Sequence, residues 1–505
     1  SGAAENANGD FGITDSDPVL VGGNFSATTD GNNGAIVMRT LQVDGTIALQ
    51  THGTGNGTIE NDNGINFEAS TIGGNLNATA SAGNITDTGA LTVAGTSTLV
   101  TTANDASISL DQGGHAFTGA LLITTNDTGT DTLGDVTIYA GSGAALDFGA
   151  STIDGDLIAR SGHATGITDS GVVTVRGTSS YQTTATDADI SLGTSTLGDG
   201  NGTDTITLNT TGSGGNATLD NGTTAIVLGT SAASLATSVG GDLTLTSGAT
   251  AGITDSAMVT VGRNLSATTD ANNGVITLDS LAVDGTIALV TNDDANNDSA
   301  HATIVNTCSV CSHGLKFAAS TVEGNLSATA TTGNMIQSGA LTIKGTSAIT
   351  TSANNATISL DTTTNAFTGA LTITTNDDAG ADADATIDGG TTKLVIAASE
   401  VDGDLTLRTG NSADTSGITD SGTVTVGGNL SVTNDVDNGD IDMGTLAVTG
   451  SVALATQGSG GNAAVANESA LDLAASTIGG TLGATASAGD ITDSGVLAIT
   501  GAATF

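Results

Sequence analysis

The sequence predicts an all-β chain wound as a parallel β-helix (solenoid) of about 19 coils, three short strands per coil. Three observations lead there: a Gly-centred element that recurs along the whole chain, period-two alternation between its copies, and a composition unsuited to a deep globular core. Recurrence is plain in residues 89–111, GALTVAGTSTLVTTANDASISLD, and 339–361, GALTIKGTSAITTSANNATISLD, which align without a gap 250 residues apart.

The recurring element is an aliphatic residue, any residue, Gly, any residue, then usually an aliphatic one, as in VGGNF, VDGTI, IGGNL and IDGDL. Its glycines run from Gly23 through Gly45, Gly74, Gly95 and Gly202 to Gly501, and Arg263 fills one slot, which makes 19 anchors. Most steps between anchors are 21–25 residues, and six are 29–39. Sorted by their neighbours, the coils form triplet super-repeats that start near Gly23, Gly95, Gly177, Arg263, Gly345, Gly428 and Gly501. Residues 1–505 therefore read as one continuous solenoid. Gly at the anchor implies a bend where no side chain fits, or a positive φ. Arg263 must then point outward or sit in a local bulge.

Between anchors the period is two. Val401, Gly403, Leu405 and Leu407 alternate with Asp402, Asp404 and Thr406, and β-branched residues dominate, which argues for strands. The long steps contain TNDTGTDTLGD (125–135), NTTGSGGNA (209–217), TNDDANNDSAH (291–301), TNDDAGADAD (375–384) and TQGSGGNAA (456–464). Each follows the first strand of a middle coil and is expected to leave one corner of the helix every third coil. Nineteen coils at about 4.8 Å give a rod of roughly 90 Å.

The composition fits a narrow body. Of 505 residues 73 are Gly, 8 Phe, 2 Tyr and none Trp, so Val, Ile, Leu and Ala must fill the interior. The 52 acids against 8 bases leave a formal charge of −44, which repels nucleic acid and anionic lipid and attracts cations. No apolar run is long enough to span a bilayer as a helix, so no membrane insertion is expected. Residue 1 is Ser and these residues open with no signal-peptide pattern, so a processed or excised segment is expected.

NAFTGALTITTND, LVIAASEVDGDLTLRTG and GITDSGTVTVGGNLSVT resemble the repeats of filamentous-haemagglutinin-like β-helix adhesins, very large bacterial surface proteins exported by two-partner or autotransporter routes. The resemblance covers essentially the whole chain. It implies a right-handed parallel β-helix, export through an outer membrane to the cell surface, and an adhesive or scaffolding role. The family's secretion domain and adhesive tips are not identifiable in these residues.

Few residues point to chemistry. Glycosidases need two carboxylates at a set separation and aromatics that stack on sugar; 52 acids make any carboxylate pair uninformative, and two Tyr make a stacking groove improbable. The expectation is no enzyme, with a polysaccharide-degrading β-helix enzyme as the remote alternative. Asp377, Asp378, Asp382 and Asp384, with Asp127 and Asp131 in the equivalent earlier loop, are candidate Ca²⁺ ligands, since hard oxygens at such spacing suit that ion; a solvated acidic loop is the alternative. Cys308 and Cys311 suggest a local disulfide, against a free thiol pair or a metal site with His301 and His313. The expected function is an extracellular structural rod, stalk or filament without catalysis. The expected partners are the chain itself, head-to-tail, or flanking repeats of a longer polypeptide. The alternative is a ligand-binding adhesin whose acidic corner loops contact a host or neighbouring cell. Neither end carries a recognisable cap.

Overall fold

A computed structural model describes residues 2–5, 11–29, 32–128, 133–200, 202–230, 235–294, 299–378, 382–410 and 417–505. Among them every regular element is a β-strand, and no helix is long and apolar enough to cross a membrane. The chain falls into two compact units, Ser1–Ala249 with Thr254–Gly262, and Thr250–Ile253 with Arg263–Phe505. Each unit is a parallel β-solenoid in which two sheets enclose a thin aliphatic core.

Within a turn, one sheet receives a straight strand of about five residues and the other a kinked pair of three-residue strands. Leu76–Ala80 is followed by Ile85–Asp87 and Leu91–Val93, and Ser97–Thr101 by Ile108–Phe117, where the pair runs together. Straight strands stack in register, Leu76 on Ser97, Ala78 on Leu99, then Ser97 on Leu121. Kinked pairs do likewise, Ile85 on Ile65 and Leu91 on Ser70. Alternation puts Leu76, Ala78 and Ala80 inside with Asn77 and Thr79 outward, as the period of two requires. The buried phenylalanines, Phe67, Phe117, Phe148, Phe317 and Phe367, all lie on kinked pairs, while the bulkiest interior residue, Tyr181, sits on the straight strand Ser179–Thr186 with its ring edge to face with Phe148.

The long steps do something the sequence did not disclose. Thr46–Gln50 is a straight strand of one sheet, and Gly57–Asn61, a straight strand of the other, follows it directly with no kinked pair between. From there the two sheets have exchanged roles: the one that held straight strands now receives kinked pairs, with Ile47 beneath Phe67 and Gln50 beneath Thr71. The same hand-over follows Leu121–Thr124 and Ile206–Thr211 in the first unit, and Ile287–Asn292, Leu371–Asn376 and Ser451–Gln457 in the second. Each of the six long steps thus holds an extra half turn, so the 18 steps between anchors wind about 21 turns where 19 coils were expected.

The hand-over also relocates the loops. The chain passes from one sheet to the other at Gln50/Gly57 and in the reverse sense at Thr124/Val136. Successive loops within a unit therefore leave from opposite edges, not from one corner every third coil. Two further expectations are corrected. Gly202 is not an anchor: it lies in an excursion at φ 79° with nothing near its Cβ position, and the anchor below Gly241 is Gly215, whose carbonyl accepts the Gly241 N–H at 2.8 Å. The first turn is partly covered, because Gly2–Glu5 pairs antiparallel with Phe11–Thr14, Gly2 against Thr14 and Glu5 against Phe11. Such a strand satisfies an edge that would otherwise template pairing.

Candidate functional site

Most side chains able to do chemistry are committed to joining one turn to the next. At many anchors the Gly N–H donates to the carbonyl one turn below, Gly95 to Gly74 at 2.9 Å and Gly428 to Gly403 at 2.9 Å. Where the next residue is Asn or Asp, its Oδ1 accepts the backbone N–H of the following turn: Asn75 from Thr96 at 2.9 Å, Asp156 from Thr178 at 2.8 Å, Asp404 from Asn429 at 2.6 Å. The ITDSG motif supplies a second row. Asp169 accepts from the Gly193 and Thr194 N–H groups at 2.8 and 3.0 Å, and Asp420 from Gly444 and Thr445 at 3.0 and 2.7 Å. Carboxylates that accept two backbone donors are structural acceptors with little left for a ligand.

A threonine at the end of many straight strands supplies a further stitch, which sequence reasoning missed. At ordinary turns its hydroxyl donates to a carbonyl five residues on, Thr101 to Ala106 O at 3.0 Å and Thr351 to Ala356 O at 3.2 Å. At the hand-over corners it also accepts a backbone N–H from the next turn. Thr456 Oγ1 donates to Gly461 O at 2.6 Å and accepts the Gly479 N–H at 3.1 Å. Thr375 does the same with Ala383 O and Asp402 N–H at 2.8 and 3.0 Å, and Thr291 with Ala300 O and Glu323 N–H at 2.8 and 2.9 Å. The hydroxyl closes the base of the loop whatever its length. The recurring threonine at 51, 125, 210, 291, 375 and 456 was the available signal, hidden because Thr is common throughout. Thr456→Val, which keeps shape and removes both bonds, is expected to lower stability by about 1–3 kcal/mol, measured by denaturant unfolding against an exposed Thr→Val control.

The acidic residues of these loops stand at the corner outside this stitch. Asp377 N–H donates to Asp402 Oδ2 at 2.9 Å, and Asp127 N–H donates to Asp154 Oδ2 at 3.0 Å in the equivalent place. Asp384 belongs to the corner ladder, its Oδ1 accepting Asp404 N–H at 2.7 Å, while Asp378 and Asp382 are exposed. Asp131 lies outside the described residues. Among the described residues no three His, Cys, Asp or Glu side chains converge on a point where a metal could sit. Cys308 and Cys311 are joined as a disulfide that closes a surface turn with Val310 exposed at its tip. His301 is not beside them: it replaces Asn in the corner ladder, its Nδ1 accepting the Asn325 N–H at 3.0 Å.

One titratable pair is fully enclosed. His115 Nδ1 accepts the Leu91 N–H at 3.0 Å, which leaves the proton on Nε2, 3.2 Å from Asp87 Oδ2. Asp87 Oδ1 accepts the Asp111 N–H at 3.0 Å, and the imidazole stacks on Phe117. Burial holds His115 below the usual imidazole range despite the adjacent carboxylate, and burial raises Asp87. Nδ1, the nitrogen opposite the carboxylate, is occupied by the Leu91 N–H and does not face a side-chain nucleophile. One full interval later Asn365 and Gln337 occupy these positions: Asn365 Oδ1 accepts Leu341 N–H at 2.9 Å, and its Nδ2 donates to Gln337 Oε1 at 3.0 Å. A neutral amide pair doing the same work marks the His–Asp pair as structural.

Four segments, residues 54–124, 133–196, 305–374 and 460–505, match a family described as repeats of unknown function (DUF5649). Three of them begin within two residues of a hand-over corner, at Gly55–Asn56, Gly134–Asp135 and Gly461–Asn462, and the first ends with the straight strand Leu121–Thr124 that precedes the next one. The run from one exchange of sheets to the next thus coincides with the family's repeat. No curated protein matches the chain, and no solved structure matches it.

Proposed function

We propose that the protein is an extracellular structural solenoid of a bacterial surface, a rod, stalk or filament segment without catalysis. The observation that supports this reading best is the use of its polar residues. Asn, Asp and Thr at the corners act as turn-to-turn acceptors and clasps, so the repertoire that an enzyme would spend on substrate is spent on a repeating scaffold. A charge of −44 over such a scaffold suits a solvated surface that resists non-specific association. Antibody raised against the chain is expected to label intact, unpermeabilised cells of the source organism; labelling only after lysis would refute the surface reading.

The acidic hand-over loops favour a second reading, a ligand-binding adhesin. In one of them Asp378 and Asp382 are exposed, while Asp384 belongs to the corner ladder. Cells carrying the chain with residues 125–135 and 375–384 shortened distinguish the two: unchanged adhesion sinks the adhesin reading, and lost adhesion with an intact fold sinks the purely structural one.

A further inference from the structure

One kink of the second unit carries residues that its fold does not require. Asn61, Asn221, Asn306 and Asn467 are clamps of one kind. Each accepts through Oδ1 a backbone N–H of the turn below, from Val43, Leu197, Val283 and Val448. Each donates forward through Nδ2 to the carbonyl just before the next strand, at Gly64, Ala225, Gly314 and Ala470, over 2.7–2.9 Å. The forward bond spans three residues at Asn61 and Asn467 and four at Asn221, but eight at Asn306. The same clamp thus closes around an excursion at residues 307–313, TCSVCSH, where the other kinks use two or three residues. Both cysteines of the chain lie in it, joined as the disulfide Cys308–Cys311.

The disulfide adds little to a kink that is already closed. It joins residues three apart inside the Asn306 clamp, and the entropy a cross-link removes from the unfolded chain shrinks with the loop it closes. The three equivalent kinks hold their shape without one. Its two ends also differ. On the Cys308 side the Thr307 N–H and Oγ1 donate to Leu281 O at 2.7 and 2.8 Å, and Thr332 Oγ1 donates to Cys308 O at 2.6 Å. Cys308 is buried. Beyond it Ser309, Val310 and Ser312 make no hydrogen bond among the described residues, Val310 is 92% exposed, and Cys311 is half-buried. Cys311 Sγ lies 3.4 Å from Val283 O, an acceptor to which a disulfide sulfur has no proton to give and a thiol has one.

We propose that Cys308–Cys311 is a thiol–disulfide exchange site, opened by an external thiol that attacks Cys311. The attacking thiolate, its proton already lost to water, forms a new S–S bond to Cys311 Sγ. The Cys308–Cys311 bond breaks, and its electron pair leaves on Cys308 Sγ, which takes up a proton. The product is a mixed disulfide on the loose end of the excursion, with Cys308 held in place by its neighbours. The Cys308 thiolate displaces the partner again and restores the original bond. A second thiol on the partner displaces Cys311 instead, which leaves the partner oxidised by two electrons and the excursion a dithiol. Access decides which sulfur is attacked, and exposed disulfides are the labile ones. The asparagine clamp keeps the kink closed throughout, so a thiol-bearing molecule is attached and released without opening a turn.

The test uses the full chain, folded and oxidised, with two probes: reduced glutathione as a small thiol and reduced thioredoxin as a protein dithiol. After acid quenching, peptide mapping by mass spectrometry is expected to find glutathione on Cys311 with Cys308 free, and thioredoxin to yield the dithiol. Reaction with glutathione alone assigns the site to small thiols, and reaction with thioredoxin alone assigns it to protein dithiols. The reduced chain should keep its circular dichroism and melt within about 2 °C of the oxidised one. Cys311 in Cys308→Ser should react with a maleimide at least about tenfold faster than Cys308 in Cys311→Ser. If either variant does not fold, peptide mapping of the reduced wild type during labelling gives the same two rates. No reaction of the folded chain with either probe, glutathione on Cys308 in place of Cys311, equal labelling rates, or loss of sheet on reduction would each overturn the proposal.

Discussion

Replacing Gly95 by alanine is expected to destabilise the first unit by about 3 kcal/mol, the combined scale of an overpacked site and lost buried hydrogen bonds. A Cβ at Gly95 falls 2.2 Å from Asn75 Oδ1 and 2.8 Å from the Gly74 carbonyl carbon and oxygen. Neither can yield cheaply, since the Gly74 carbonyl accepts the Gly95 N–H and Asn75 Oδ1 accepts the Thr96 N–H. The demand is for space and not for an unusual backbone angle, because Gly95 is absent from the residues of positive φ. Gly23 is the control. It occupies the same motif at the first turn, nothing lies within 4 Å of its Cβ position, and Gly23→Ala should stay within about 0.5 kcal/mol of wild type. Denaturant midpoints of the two variants test the pair; equal shifts would show that anchor glycines are chosen for conformation and not for close approach.

The second large effect is expected at the enclosed His115–Asp87 pair. His115→Ala removes the acceptor of the Leu91 N–H and leaves Asp87 buried without its partner, a change expected to cost about 3–5 kcal/mol. Asp87→Gln with His115→Asn installs the arrangement seen at Gln337 and Asn365 and is expected to recover most of that loss. Acid should act at the same point. The folded pKa of His115 is depressed, so the unfolded chain takes a proton near pH 6.5 that the folded chain refuses, and stability present above that pH declines as pH falls below it. Each pKa unit of separation is worth about 1.4 kcal/mol. Asp87, raised above 3.8, works in the opposite sense, and only in the range between 3.8 and its folded value. Asp111, the third charge beside the pair, stays in both variants. Hydrogen exchange at Leu91 between pH 7 and pH 5 should accelerate in the wild type beyond its intrinsic pH dependence and not in the amide-pair variant. Equal behaviour of the two would remove His115 as the acid-sensitive group.

Local pattern determined much of this protein. A period of two with β-branched residues predicts strands without help from tertiary structure, because alternate side chains must face alternate sides. The recurrence of one Gly-centred motif every 21–25 residues predicts turns stacked in register, because only a repeat can bury faces as narrow as Leu76–Ala78–Ala80. What the pattern could not carry was which sheet a strand joins. Thr46–Gln50 and Leu76–Ala80 look alike in sequence and follow identical anchors, yet one hands over directly to a second straight strand and the other to a kinked pair. At the hand-over the Thr51 hydroxyl donates to Gly55 O and accepts Gly73 N–H from the next turn, a partner 22 residues away. Cross-turn rows are invisible in the sequence for the same reason, as where Tyr139, Arg160, Gln182 and Asn209 stack in register on successive turns. These four are separated by 21, 22 and 27 residues, and their alignment exists only once register has been set. Hydrophobic alternation acts between nearest neighbours along the chain and is written there; sheet exchange and cross-turn rows are decided by which turn lies beneath which, and only the stacked structure holds that information.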